Sequence, residues 1–123
     1  DFNIAIEKVY NELKKIKFQW NEKKKVTARF ISCLTIHWPN GKFVSSSGIV
    51  EGRISETQKG TNGFGYDPIF IPLGHEKTFG ELEPQEKLKI DHRSKAFSKI
   101  SNLFINWFLE IGYQTLDRYL VYD

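Results

Sequence analysis

The chain has 123 residues, 40% of them hydrophobic and 27% charged, with a net charge of +3. That length suits one domain with a real core and excludes two, and the charge is too mild to point to a partner. One cysteine, Cys33, excludes an internal disulfide framework and fits a reducing compartment. No apolar run reaches the roughly 20 residues of a membrane span, and no secretory pattern opens the chain. The expectation is therefore a cytoplasmic protein with no membrane partner. Methionine is absent even at position 1, and helical periodicity begins almost at once after Asp1-Phe2-Asn3. Both features fit an N-terminally truncated domain over 1–123 whose start lies upstream.

Residues 3–17 read as an amphipathic helix. Ile6, Val9, Leu13 and Ile16 recur at three- and four-residue steps, Glu7, Lys8, Glu12, Lys14 and Lys15 occupy the other face, and Asn3 is the expected N-cap. Six lysines lie between Lys14 and Lys25. They lack the aromatic interleaving that suits a nucleic-acid strand, so a solvated helix end and loop is expected, without a nucleic-acid partner. From Val26 to Trp38 the period changes to two, with Val26, Ala28, Phe30, Leu34, Ile36 and Trp38 on one face. Pro39-Asn40-Gly41-Lys42 signals a hairpin, and a second strand follows from about Phe43 to Ile54. Gly48 and Gly52 inside that strand suggest a bulge or a close backbone approach. His37 and His75 have no partner at metal-ligand spacing, so zinc is unsupported.

The next stretch, Gly60-Thr61-Asn62-Gly63-Phe64-Gly65-Tyr66-Asp67-Pro68-Ile69-Phe70, has a glycine density unsuited to a helix or strand interior. It suits a sharply bent loop that closely approaches something. Phe64 and Tyr66 on that loop suggest a flat ligand stacked on a ring, with backbone amides nearby for an anion. A tight turn with both rings folded onto the core is the equally ready structural reading. Pro68 to Pro72 then reads as a brief edge strand, Thr78 as the cap of a short turn carrying Glu81 and Leu82, and Glu83–Ile90 as a helical piece with Pro84 in its first turn. Glu81, Glu83 and Glu86 could bind magnesium, but carboxylates near a helix start are favoured by the dipole alone. Asp91 is the expected N-cap of a long helix with Phe97, Ile100, Phe104, Trp107, Phe108 and Ile111 on its buried face, stopped at Gly112. His92 and Arg93 fall in its first turn. A cation there opposes the helix dipole, so local stability does not explain Arg93, whereas a donor array for an acceptor-rich edge or a phosphate does. The tail 112–123 has no clear motif.

The order of these motifs resembles the inosine triphosphatase family, the Ham1-like house-cleaning pyrophosphatases. The resemblance rests on Gly63-Phe64-Gly65-Tyr66-Asp67-Pro68-Ile69-Phe70, Thr78-Phe79-Gly80-Glu81-Leu82, Glu86-Lys87, His92-Arg93 and Ala96-Phe97, and upstream on Thr27-Ala28-Arg29-Phe30. It covers roughly residues 4 to 108. It implies a mixed α/β fold, with a long twisted β-hairpin plus flanking helices around a nucleotide cleft, and a homodimer when complete. It implies hydrolysis of purine nucleoside triphosphates such as ITP, dITP and XTP to monophosphate and pyrophosphate, with magnesium (Mg2+). By the same resemblance Phe64 stacks on the base, Gly65, Tyr66 and Asp67 complete that wall, Lys87 contacts the nucleotide, and His92 and Arg93 donate to the base's 6-oxo edge. Asp91 stands where the family often has Ser, which keeps an N-cap but brings a carboxylate towards the base, where Asp67 and Asp91 could act together.

The family's triphosphate cradle, metal-binding Glu and Asp-Ser-Gly motif precede the matched region. No catalytic and no metal residue is therefore assigned within this chain; both sets, including the Mg2+ ligands, are expected upstream of Asp1. The alternatives are a non-catalytic purine-nucleotide binding module and an inactive fragment.

Overall fold

A computed structural model describes residues 1–20, 25–111 and 120–122, with 107–111 and 120–122 described by backbone alone. The architecture is mixed α/β. Among the described residues three α-helices, α1 (Phe2–Lys15), α2 (Pro84–Leu88) and α3 (His92–Ile111), accompany four strands, β1 (Thr27–His37), β2 (Phe43–Ile54), β3 (Phe70–Pro72) and β4 (Leu120–Tyr122). The strands form one antiparallel sheet in the order β3-β2-β1-β4. The chain divides into two compact units, Asp1–Arg29 with Glu51–Lys87, and Phe30–Val50 with Leu88–Asp123.

In the first unit, α1 is capped by Asp1, whose Oδ1 accepts from the Asn3 amide at 2.9 Å. The cap expected at Asn3 thus moves two residues earlier, because the Asp1 carboxylate reaches the N–H two positions on and draws Asn3 into the first turn. The helix also ends before Lys17, which takes a positive φ of 54°. Along the helix the stripe fades: Ile6 is buried, Val9 and Leu13 are half-buried and Ile16 is exposed. Tyr10 lies between them in sequence, and its hydroxyl donates to the Ser55 carbonyl at 2.7 Å. Burial pushes the Tyr10 phenol up to about 12.

The expected strand over Pro68–Pro72 is shorter than its apolar run. Asp67–Ile69 form a 3-10 turn instead, with Pro68 at its start, where a missing N–H costs nothing. Only Phe70–Pro72 pair with β2, Ile54 opposite Phe70 and Gly52 opposite Pro72, and this strand does lie at the sheet edge. Phe70 and Phe79 are fully buried with ring centroids 5.2 Å apart. The helical piece expected over 83–90 contracts to α2, with Pro84 at its first position.

In the second unit, β1 and β2 continue as the far end of the hairpin, closed by Trp38 N–H donating to the Lys42 carbonyl at 2.8 Å. Inward positions alternate as expected, with Leu34, Ile36 and Trp38 packed on Ala96 and Ile100, and Val44 and Phe104 against them. The α3 stripe therefore runs Ala96, Ile100, Phe104 in steps of four. Phe97, expected on that face, lies about a quarter-turn round the helix and is 64% exposed. The side chains of Trp107, Phe108 and Ile111, and Gly112 itself, lie outside the described residues. Gly48 explains how closely α3 approaches: a Cβ there would drive into the His92 carbonyl and the Ala96 amide nitrogen. Ser46 Oγ then donates to the Ala96 carbonyl at 2.6 Å, and Lys99 Nζ to the Ser47 carbonyl at 2.9 Å. The tail without a motif contains β4, which pairs antiparallel with β1, His37 opposite Leu120.

Candidate functional site

Within the first unit the glycine loop is bound to the segment Thr78–Leu82. The Asn62 amide donates to the Gly80 carbonyl at 2.9 Å, and Asn62 Nδ2 donates to the Leu82 carbonyl at 3.1 Å. Gly80 N–H donates in turn to the Asp67 carbonyl at 2.9 Å. Thr78 Oγ1 donates to the Lys59 carbonyl at 2.6 Å, and the Lys59 amide donates to the Pro68 carbonyl at 2.9 Å. Gly60 has φ +87°, and a Cβ on it would collide with the Gly80 carbonyl and the Glu81 nitrogen. Loop and segment touch backbone to backbone, which only glycine at both positions permits.

Asp67 holds the middle of the loop. Its carboxylate Oδ2 accepts from the Phe64 amide at 3.0 Å and from Lys87 Nζ at 2.7 Å. The two side chains of this ion pair are 5% and 14% exposed, Asp67 first. Lys87 Nζ also lies 5.3 Å from the Phe64 ring centroid and 5.7 Å from that of Phe79, within cation–π range. The Asp67 carboxylate, expected in a base-contacting wall, is thus buried and ties the Phe64 amide and Lys87 together. The idea that loop amides would serve an anion loses ground for the same reason. The amides of Asn62, Phe64 and Asp67 already donate within the protein.

The loop rings do not fold into the core. Phe64 is 57% exposed, and Tyr66 is partly exposed with its ring edge-on to Phe2, 6.0 Å between centroids. Gly65 sits beside that same Phe2 ring. The apolar loop face that a stacking reading needs is present.

In the second unit, Asp91 caps α3 as expected, its Oδ1 accepting from the Ser94 amide at 2.7 Å. Its carboxylate is buried and engaged as that cap. His92 is half-buried with its ring edge-on to Phe30, 5.0 Å between centroids, and Arg93 is exposed. The structure therefore assembles Phe64, Gly65, Tyr66, Asp67 and Lys87 in one unit and His92 with Arg93 in the other.

Glu81, one of the three carboxylates considered for magnesium, has another occupation. Its Oε1 accepts from the Thr78 amide at 3.0 Å while its own amide donates to Thr78 Oγ1 at 3.1 Å, a reciprocal capping box. Among the described residues no group of three or more His, Cys, Asp and Glu could hold a metal ion. None of the described helices is long and apolar enough to cross a membrane.

A family model described as the Ham1 family matches residues 2–103. The chain belongs to the Ham1 family. It is 44% identical over 100 residues to a dITP/XTP pyrophosphatase of Caulobacter vibrioides, covering 81% of this chain and 49% of that protein. With the dITP/XTP pyrophosphatase of Bacillus subtilis it shares 47% identity over 103 residues, 84% of this chain and 50% of the relative. Among solved structures, a Ham1 protein from Coxiella burnetii superposes with a TM-score of 0.74 at 32% identity, over 85% of this chain and 52% of that one. The Staphylococcus aureus Ham1 protein gives 0.73 at 29% identity, over 86% and 52%. The chain spans about half the length of the curated relatives it matches. The candidate residues Phe64 to Asp67, Lys87, His92 and Arg93 lie inside the matched region. Asn62 and Thr78 were missed as loop supports: the sequence marks them only as a loop polar residue and a cap, and their loop partners, the carbonyls of Leu82 and Lys59, are 20 and 19 residues away.

Proposed function

We propose that these residues recognise the base of a non-canonical purine nucleoside triphosphate, the ITP, dITP and XTP class, as part of a nucleoside-triphosphate pyrophosphatase. The reading rests on one observation above all, an exposed Phe64 ring on a loop pinned by Asp67 and by the Thr78–Leu82 segment. A pinned ring loses little freedom when a base stacks on it, which keeps the stacking gain available for affinity. The dITP/XTP pyrophosphatase names of the relatives support the substrate class. In this reading Tyr66 and Gly65 complete the wall, Lys87 approaches the nucleotide beside the ring, and His92 and Arg93 donate to the 6-oxo group. Donors aimed there meet an acceptor in hypoxanthine and xanthine but the amino group of adenine, and a site left with unpaired donors discriminates strongly. Guanine also carries a 6-oxo group, so this contact does not reject it. The proposal for this chain concerns recognition of the base. A homodimeric, cytoplasmic enzyme completes the proposal.

Two substitutions test it by calorimetric titration. Phe64→Ala is expected to weaken ITP binding by about tenfold or more, since stacking on an aromatic side chain contributes about 1–3 kcal/mol. Unchanged affinity would remove the ring from the site. Arg93→Ala is expected to lower the ITP-to-ATP affinity ratio by about tenfold, as loss of a charged hydrogen bond costs about 1.5–3 kcal/mol. An unaltered ratio would sink the role given to Arg93. Pyrophosphate release from ITP in magnesium by this chain would place the hydrolytic groups within it.

A further inference from the structure

We infer that Thr78 is a positioning residue for base recognition, acting on the presentation of Phe64 through the floor of the glycine loop. Thr78 is fully buried, at 0% exposure, so it acts on a ligand only through what it holds. Its hydroxyl donates to the Lys59 carbonyl at 2.6 Å, one residue before the loop starts at Gly60, and accepts from the Glu81 amide at 3.1 Å. One side chain therefore ties the near end of the loop to the segment whose Gly80 carbonyl receives the Asn62 amide and whose Gly80 amide reaches the Asp67 carbonyl. From there the route to the ring is short, because Asp67 Oδ2 accepts from the Phe64 amide. The capping box explains the second half of the hydroxyl's bonding, since a cap needs only an acceptor. The first half, donation across 19 residues to a loop carbonyl, adds nothing to the cap. That donation is the feature that makes Thr78 a support of the loop.

The inference rests on the reading of Phe64 as a base-stacking residue, and the experiment separates the two. Thr78→Val keeps the shape and removes the hydroxyl, Thr78→Ser keeps the hydroxyl, and each is combined with Phe64→Ala while ITP affinity is measured by calorimetry on folded protein. Thr78→Val is expected to weaken ITP binding several-fold and by no more than about tenfold, because an indirect effect cannot exceed what the hydroxyl's bonds contribute to holding the loop, and Thr78→Ser to recover most of that loss. On the Phe64→Ala background Thr78→Val is expected to add less than about twofold, because residues acting through one contact are not additive. A purely structural role would lower thermal stability equally with and without Phe64 and leave the affinity of the folded protein unchanged. That outcome, or equal affinity losses on both backgrounds, overturns the inference while the base reading stands. If Phe64→Ala itself leaves ITP affinity unchanged, or the parent chain does not bind ITP, both fail. Should Thr78→Val not fold, Thr78→Ala removes the same hydroxyl with a smaller side chain, and its effect on ITP affinity must likewise vanish without Phe64.

Discussion

Gly60→Ala is expected to destabilise the protein by about 3 kcal/mol in denaturant unfolding. Two effects combine at this position. The backbone holds φ at +87°, a left-handed conformation that costs an L-residue with a side chain about 1–2 kcal/mol. The added methyl also meets the Gly80 carbonyl and Glu81 nitrogen, backbone atoms with no rotamer to give way, and such overpacking costs about 1–3 kcal/mol. Glycine at 41 provides the contrast, since its φ is +91° but a methyl group there would meet nothing within 4 Å. Gly41→Ala therefore carries only the conformational part, and equal losses at the two sites would show that loop and segment do not pack as described.

Asp67→Ala is expected to cost about 3 kcal/mol as well, through charge. It leaves Lys87 shielded without its counter-ion and strips the acceptor from the Phe64 amide. Breaking one partner of a largely buried pair typically costs about 3–5 kcal/mol, whereas removing both charges often costs far less. Adding Lys87→Met to Asp67→Ala should therefore recover a large part of the stability in a double-mutant cycle. Affinity for ITP should not recover with it, because Phe64 has lost its anchor and Lys87 its ammonium. Recovery of stability and affinity together would mean that the ion pair serves the fold alone.

These two sites mark the limit of what is legible in the sequence. The loop is recognisable from its glycines and aromatics, and Phe64, Lys87, His92 and Arg93 stand out from motif order alone. The job of Asp67 does not, because a carboxylate in a motif looks the same whether it faces a base or its own chain. Its partner Lys87 is 20 residues away, and no periodicity links the two. Glu81 shows the same gap: three acidic residues in a short span read as a possible metal site, yet the carboxylate of Glu81 closes a cap on Thr78.

What the amino-acid order determined by itself is local. Period-two alternation set the hairpin and its buried face, since successive strand side chains must point to opposite sides. Asn40-Gly41 set its turn, and Asp91 set the start of α3, because its side chain satisfies an amide three residues on. Tertiary structure decided what depends on distant partners. It chose the Ala96–Ile100–Phe104 stripe over Phe97, because Gly48 and Ser46 admit α3 only with a small residue against the strand. It made a strand of Leu120–Tyr122, which has no visible pattern of its own and takes its hydrogen bonds from β1. It also turned the glycine stretch into a supported platform, through bonds from Asn62 and Thr78 to carbonyls 20 and 19 residues away.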